Sequence, residues 1–250
     1  MPHESAKFAG VEVTPLCDAV GPMGPAIRRP LTETFPNATA ADWAGLDTAA
    51  WILHFHCYLL RTQSGRLMLV DTGIGGVDSP AAAWAPVPGA LVSELAAAGV
   101  SPTDIDVVVL THLHSDHASG ATTAGAPAFP SARYVLQRAD AATAAGPLAD
   151  YVLRPLADHL HLIDGDAELL PGIHAIHTPG HTPGHQVVRV DDLTLTGDLV
   201  LHPVQLANPA VHYLYDDDPE RAAATRIALL EAVRPGTLAT AHFAEPFTAV

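Results

Sequence analysis

Short β-branched or alternating apolar runs dominate the hydrophobic pattern of this chain, and helical spacing is confined to a few segments. "WILHFHCYLL", residues 51–60, reads as a strand. "RLMLVD", 66–71, reads as its hairpin partner across a Ser64-Gly65 turn. Asp71-Thr72-Gly73 ends that strand in a loop running to Gly76, and a Pro/Ala-rich loop follows over 78–90. The spacing then predicts a helix over about 89–98, with Gly99 as its C′ residue. "IDVVVLT", 105–111, is a buried strand by its β-branched run, and "ARYVLQ", 132–137, is another. Residues 138–160 mix helix and loop. "HLHLID", "IHAIH", "HQVVRV" and "LTLTGD" predict four short strands between 159 and 198.

A late helix is signalled by Asp218 as N-cap and Pro219 at the first helical position, with Ala223, Ile227, Leu230 and Val233 as its apolar stripe. Pro235-Gly236 stops it, and "TLATAHF", 237–243, is the last expected strand. Residues 1–50 are rich in Pro, Gly and Ala and predict an N-terminal strand plus loops. Helices fall between runs of strands, and no linker separates two cores. The expectation is one α/β domain over 1–250, with sheets packed face to face, helices outside, and 1–50 as an N-terminal extension packed on it.

Composition narrows the function. A chain of 250 residues, 48% hydrophobic and only 16% charged, is long and apolar enough to bury a substantial core. The net charge is -15, with Lys7 the sole lysine and the arginines scattered. No basic track exists to neutralise phosphates, so nucleic acid and an anionic membrane are both disfavoured as partners. Bound cations would offset part of the acidic excess. A small-molecule substrate is the expected partner, with a homodimer left open. The N-terminus has no charged segment followed by an apolar one, and no run approaches the ~20 apolar residues of a membrane helix. Cys17 and Cys57 make no disulfide framework. These features together predict a cytoplasmic protein.

The fifteen histidines are the outlier, and they cluster. "THLHSDH", 111–117, packs His112, His114, Asp116 and His117 into six residues directly after a buried strand. Strand alternation puts His112 and His114 on one side, and a turn at Ser115 lets Asp116 and His117 face the same space. Imidazole and carboxylate suit zinc and related first-row metals, and four such groups can divide between two ions. "HTPGHTPGH", 177–185, adds three histidines four apart, but its prolines and glycines exclude a helix. His181 lies mid-loop between two Pro-Gly turns, whereas His177 and His185 fall at strand ends as supporting groups.

The order His-x-His-x-Asp-His at 112–117, Pro-Gly-His at 179–181, Gly-Asp at 197–198 and a late His242 resembles the metallo-β-lactamase superfamily. The resemblance spans roughly residues 55–245. It implies an αββα four-layer sandwich with the metal site at the edge of the two packed sheets. It assigns His112, His114 and His181 to one metal, Asp116, His117 and His242 to a second, and Asp198 to the bridge between them. Asp71 is either a ligand-orienting carboxylate or an ordinary turn residue. The resemblance further implies two divalent ions, zinc first, and a hydroxide between them that attacks a substrate carbonyl. Asp116 would both ligate and shuttle a proton, and Asp198 would complete the catalytic pair. The chain lacks the Gly-x-Ser-x-Gly elbow of a serine hydrolase.

Within the superfamily, "GDLVLHPVQLANP", 197–209, and "TAHFAEPF", 240–247, resemble the branch of N-acyl homoserine lactonases and organophosphate hydrolases. Its lactonases carry a tyrosine three residues after the bridging Asp, where this chain has Leu201. His202 and Tyr213 are the candidate substitutes. A dinuclear zinc lactonase or esterase is therefore expected. Hydrolysis of a thioester, phosphotriester or β-lactam, and a mononuclear iron persulfide dioxygenase, are the alternatives. A non-catalytic binding module is a third reading, disfavoured by the full ligand set. His54 and His56 repeat the His-x-His spacing but have no third ligand nearby in sequence, and they read as sheet-face residues. His159 and His161 read as surface strand positions, and Trp43, Trp51 and Trp84 as packing or pocket-wall residues.

Overall fold

The computed structural model describes residues 3–48 and 50–250; Met1, Pro2 and Ala49 lie outside the described residues. The first sheet has seven strands in sequential order. They are β1 (Ala6–Phe8), β2 (Val11–Gly21), β3 (Leu53–Arg61), β4 (Leu67–Val70), β5 (Val107–Val109), β6 (Arg133–Gln137) and β7 (Leu160–Ile163). Pairing is antiparallel up to β4 and parallel from β4 to β7. The second sheet has six strands, again sequential. They are β8 (Ala167–Leu170), β9 (Ile173–His177), β10 (Gln186–Val190), β11 (Leu193–Leu195), β12 (Thr237–Ala239) and β13 (Phe247–Ala249), with only β11–β12 parallel.

Alternation along each strand builds the layers. Val13, Tyr58, Leu60, Met68, Val70, Val107 and Val109 face Ile173, Val188, Val190, Leu193 and Leu195 in the core between the sheets. Their neighbours Leu16, Cys57, Leu59, Leu69 and Val108 point the other way, against Leu91 and Leu95 of α1 (Leu91–Ala97). The late helix covers the second sheet, where Leu230 and Val233 pack on Val200, Leu238 and Phe243. The result is the αββα sandwich. β5 is buried on both faces, which is why its sequence is an unbroken apolar run.

Three differences from the sequence expectation have physical causes. Residues 6–8 and 11–21 form the first two strands of the first sheet, because Val11 and Val13 join the core between the sheets. The expected 237–243 strand stops at Ala239, and the chain returns as β13. The Tyr58 hydroxyl pins the intervening loop by donating to the carbonyls of Thr240 (2.7 Å) and Pro246 (3.0 Å). On the late helix (Pro219–Val233), Ile227 is 36% exposed, and Arg226 instead is fully buried. Its guanidinium donates to the carbonyls of Leu199 (2.6 Å), Pro209 (2.8 Å) and Val211 (2.7 Å), so loop carbonyls replace apolar packing there. The expected helix near 89–98 forms as α1, and Asp218 caps the late helix by accepting from the Arg221 N–H at 3.0 Å. No helix among the described residues is long and apolar enough to cross a membrane.

Candidate metal centre

Four loops meet at one edge of the paired sheets. β5 ends at Val109, and the chain turns at Leu110-Thr111 into a single helical turn, Ser115–Ala118, that carries Asp116 and His117. Gln186 at the head of β10 ties the two sheets together at this point. Its backbone N–H donates to the Thr111 carbonyl (2.9 Å) and its side chain to the Leu110 carbonyl (2.9 Å). The loop between β9 and β10 brings His181. It docks on the late helix through Asp217 N–H to the His181 carbonyl (3.1 Å) and Asp218 N–H to the Gly180 carbonyl (3.0 Å). Gly180 has φ +138°, and a Cβ there would strike the backbone nitrogen of Ala222, so the Pro-Gly-His turn admits no side chain. β11 stops at Leu195, and Gly197, at φ +47°, turns the chain so that Asp198 stands beyond the strand end. The β12–β13 loop supplies His242.

All seven sequence-predicted ligands come together. Donor atoms of His112, His114, His181 and Asp198 lie within 4.8 Å of one another, as do those of Asp116, His117, Asp198 and His242. Asp198 belongs to both groups, with one oxygen toward each. Its Oδ2 is 3.2 Å from His181 Nε2 and 3.8 Å from His112 Nε2. Its Oδ1 is 3.0 Å from both His117 Nε2 and His242 Nε2. Asp116 Oδ2 stands 3.4 Å from His117 Nε2 and 3.5 Å from His242 Nε2.

These residues fit divalent cations. His112 Nε2, His117 Nε2 and Asp198 Oδ1 are buried yet satisfy no hydrogen bond, although His117 and Asp198 approach to 3.0 Å. Atoms that close and misaligned are aimed at common points rather than at each other. Unpaired buried polar atoms are costly, and imidazole with carboxylate is the donor set of zinc. Burial holds His112 well below the usual imidazole range and His114 down to about 4, both with neighbouring histidines adding to it. Burial opposes protonation of His181 too, but Asp198 and Asp216 outweigh it and raise that ring to about 9. Burial resists ionisation of Asp198, yet His117 and His242 hold it well below the carboxylate range.

Several of the rings are oriented from behind. His117 Nδ1 donates to Asp71 Oδ2 (2.8 Å), and Asp71 also accepts from the Thr111 N–H (2.7 Å) and hydroxyl (2.9 Å). Of its two sequence readings, this geometry fits the orienting carboxylate, held in a left-handed conformation at φ 60° that non-glycine residues rarely adopt. His242 Nδ1 donates to the His54 carbonyl (2.8 Å). His185 Nε2 accepts the Asp198 N–H (3.1 Å), and His177 Nε2 meets the Pro183 carbonyl (3.0 Å), so both brace loops; the His185 ring lies 5.2 Å from that of His112, but neither residue offers the cluster a donor atom.

Sequence reasoning passed over two carboxylates. Asp216 accepts from His181 Nδ1 (2.8 Å) and lies 3.8 Å from Arg226. Asp140 accepts from the Leu113 N–H (3.0 Å), the Thr182 hydroxyl (3.1 Å) and the Gly184 N–H, joining the two ligand loops. Asp216 hides in the run Asp216-Asp217-Asp218, where only the cap stood out. Asp140 sits in an alanine-rich helix start with no local signal.

A cavity of about 190 Å³ opens onto the cluster. His114, Asp116, His181, Asp198 and His242 form its floor, and Met23, Ile27, Leu53, Trp84 and Leu201 its apolar wall. Tyr213 also lines it, its ring stacked on His181 at 6.0 Å between centroids. Burial, with Asp198, Asp116 and Asp216 next, keeps that phenol protonated. Trp84 is thus a pocket wall, while Trp43 and Trp51 pack on Phe35 and His202. His202 sits in that aromatic cluster away from the ligands' floor.

A paired His/Asp centre at the edge of an αββα sandwich defines a metal-dependent hydrolase. The family model for the metallo-beta-lactamase superfamily matches residues 56–242, and the chain belongs to that superfamily. An N-acyl homoserine lactonase of a Bacillus species is 32% identical over 182 residues, 67% of this chain and 68% of the relative. The solved structure of AidC, described as a dizinc quorum-quenching lactonase in complex with a product, superposes with a TM-score of 0.80 at 20% identity, covering 99% of this chain and 96% of that one. The hydrolase AbOPH of the beta-lactamase superfamily gives 0.79 at 22%, covering 99% and 92%. At those identities the two structures speak for the fold.

Proposed function

We propose that the chain is a dinuclear, zinc-dependent hydrolase of lactones or related carboxylic esters. The observation that carries the reading is Asp198, whose two oxygens each face a separate set of ligand groups. His112, His114 and His181 would hold one ion, Asp116, His117 and His242 the other, with Asp198 shared. When bound, the ions supply Lewis acidity toward the substrate carbonyl and make water nucleophilic near neutral pH. A mononuclear redox centre would leave the second ligand set without a task.

The chain's own groups supply the rest. The apolar wall of Met23, Ile27, Leu53 and Leu201 suits an uncharged acyl chain and excludes bulk water around it. Tyr213, a protonated phenol at the cavity wall, donates a hydrogen bond to the carbonyl oxygen and takes the place of the tyrosine absent at Leu201. Asp116 accepts the proton of the attacking water and returns it to the leaving oxygen, opening the ring. Identity near 30% to lactonases supports the substrate class.

Metal analysis combined with a panel of lactones, aryl esters, thioesters, phosphotriesters and β-lactams tests this reading. Lactone or ester turnover that follows the loading of both catalytic positions is expected. Full activity with fewer than one metal per chain, or turnover confined to a substrate without a carboxylic ester, would overturn it.

A further inference from the structure

His54 and His56 gain partners from distant parts of the chain. Cys17 of β2 lies opposite His56 in the β2–β3 register, just before a bulge between Cys17 and Ala19. Its Sγ is 3.8 Å from His54 Nδ1. The rings of His54 and His56 stack at 5.3 Å, and His3, ahead of β1, sets its ring edge-on to His56 at 5.1 Å. One donor atom from each of these four residues lies within 4.8 Å of the others. The alternation that places both histidines on one face of β3 thus puts them in a pocket of sulfur and nitrogen.

A second observation points to a ligand. His56 is only 3% exposed, and its Nε2–H donates to the Phe243 carbonyl at 2.9 Å. A carbonyl oxygen cannot donate, so the proton is on Nε2 and the lone pair on Nδ1. That Nδ1 is buried and has no hydrogen-bond partner. An N–H fixed by a backbone carbonyl, with the opposite nitrogen free, is how proteins prepare a metal-binding imidazole. Burial keeps His56 neutral, pushed down to about 3. Besides His54, the Cys17 thiol meets only backbone groups of Ala19, at 3.5 Å, and Phe55.

We propose that His3, Cys17, His54 and His56 form a second metal site, distinct from the catalytic pair, that takes one zinc-class ion in a closed tetrahedral set of three nitrogens and one sulfur. Thiolate and imidazole together are donors of structural zinc, and no position is left for water. Binding replaces the thiol proton by the metal, and that proton leaves to solvent. The ion staples the segment before β1 to β3. Because the His54 carbonyl orients His242, the staple stands one hydrogen bond from the catalytic cluster.

Cobalt substitution of the full chain with an untagged N-terminus tests the site. The catalytic ligands are nitrogen and oxygen only, so a near-ultraviolet sulfur-to-cobalt charge-transfer band reports this site alone. We expect that band, with one metal per chain beyond those bound by a Cys17→Ser variant. Cys17→Ser should abolish it, and Cys57→Ser, on the opposite face of β3, should retain it. His3→Ala, a half-buried residue ahead of β1, should weaken cobalt binding at this site about tenfold or more while hydrolysis continues, which reports an intact fold. Absence of the band in cobalt-loaded protein, or its survival in Cys17→Ser, would overturn the proposal. Either result leaves the lactonase reading to its own substrate test.

Discussion

Two of the chain's three His-x-His pairs, 54/56 and 112/114, sit in clusters with further histidines, yet their surroundings differ. His112 and His114 follow the end of β5, where the backbone leaves the sheet and both rings meet His181 and Asp198, beside the second group of Asp116, His117 and His242. His54 and His56 stay inside β3, where sheet geometry fixes their separation and their neighbours are Cys17 and His3. Two carboxylates lie in the first cluster, with a cavity above it. Sulfur replaces them in the second, whose four residues include no carboxylate. The difference teaches that spacing supplies only the pair; the residues brought from elsewhere decide whether it serves hydrolysis or holds the chain together.

The comparison breaks most sharply at Asp198, because only the β5 cluster shares one carboxylate between two groups. Losing one preorganised electrostatic group costs on the order of 10²–10³ in kcat. Asp198→Ala should therefore cost about 10³ or more in kcat/KM, with metal content falling at both catalytic positions. Stopped assays with metal analysis check it, and near-normal turnover would rule out a bridging role. His181→Ala comes next. It should strip one catalytic metal, while His177→Ala and His185→Ala, which only brace loops, should retain more. The reverse ranking would mean that the wrong histidine of "HTPGHTPGH" has been placed in the site.

Tyr213→Phe removes one hydroxyl from the cavity wall and should lower kcat by about 10² with little change in KM, the pattern of a transition-state donor. An unchanged kcat would show that the phenol does not reach the carbonyl. Asp216→Asn should act more gently, through His181. Loss of a carboxylate behind a ligating imidazole costs roughly 10–100-fold in metal affinity, readable by competition with a chelator. The sulfur-containing site should hold its ion unchanged in that variant, which separates the two clusters.

Legibility in the sequence followed the same divide. The β5 cluster could be read because four of its residues fall within six positions, His181 and Asp198 stand in short turn signatures, Pro-Gly-His and Gly-Asp, and His242 stands in the last apolar run. Strands β3 to β7 of the first sheet were readable from alternating or unbroken apolar runs, and α1 from its Gly99 stop, whereas β1 and β2 were not separated from the loops of residues 1–50. Two of the supports were not readable: Asp140 and Asp216 gain their meaning from N–H groups and rings far along the chain. Arg226 was hidden because apolar periodicity cannot foresee a buried guanidinium satisfied by three loop carbonyls. His54 and His56 failed for a like reason. Their third and fourth partners come from the start of the chain, across a β-bulge.

The smallest effect concerns a buried histidine that belongs to neither cluster. His202 packs among Phe35, Trp43 and Trp51, and its Nδ1 accepts the Val204 N–H at 3.2 Å. With no carboxylate beside it, burial alone pushes it down to about 4 from an ordinary 6.5. The unfolded chain therefore binds a proton between pH 6.5 and 4 that the folded chain refuses. Stability is complete above pH 6.5 and falls as the pH drops toward 4, by up to about 3 kcal/mol from this one ring. His202→Asn keeps an acceptor for the Val204 N–H and removes the titration. Denaturation followed across that window should show a shallower acid limb in the variant, whatever its stability at neutral pH. An unchanged slope would mean that the ring already meets a proton donor or water in the fold, and that aromatic packing does not isolate it as the two ligand clusters isolate theirs.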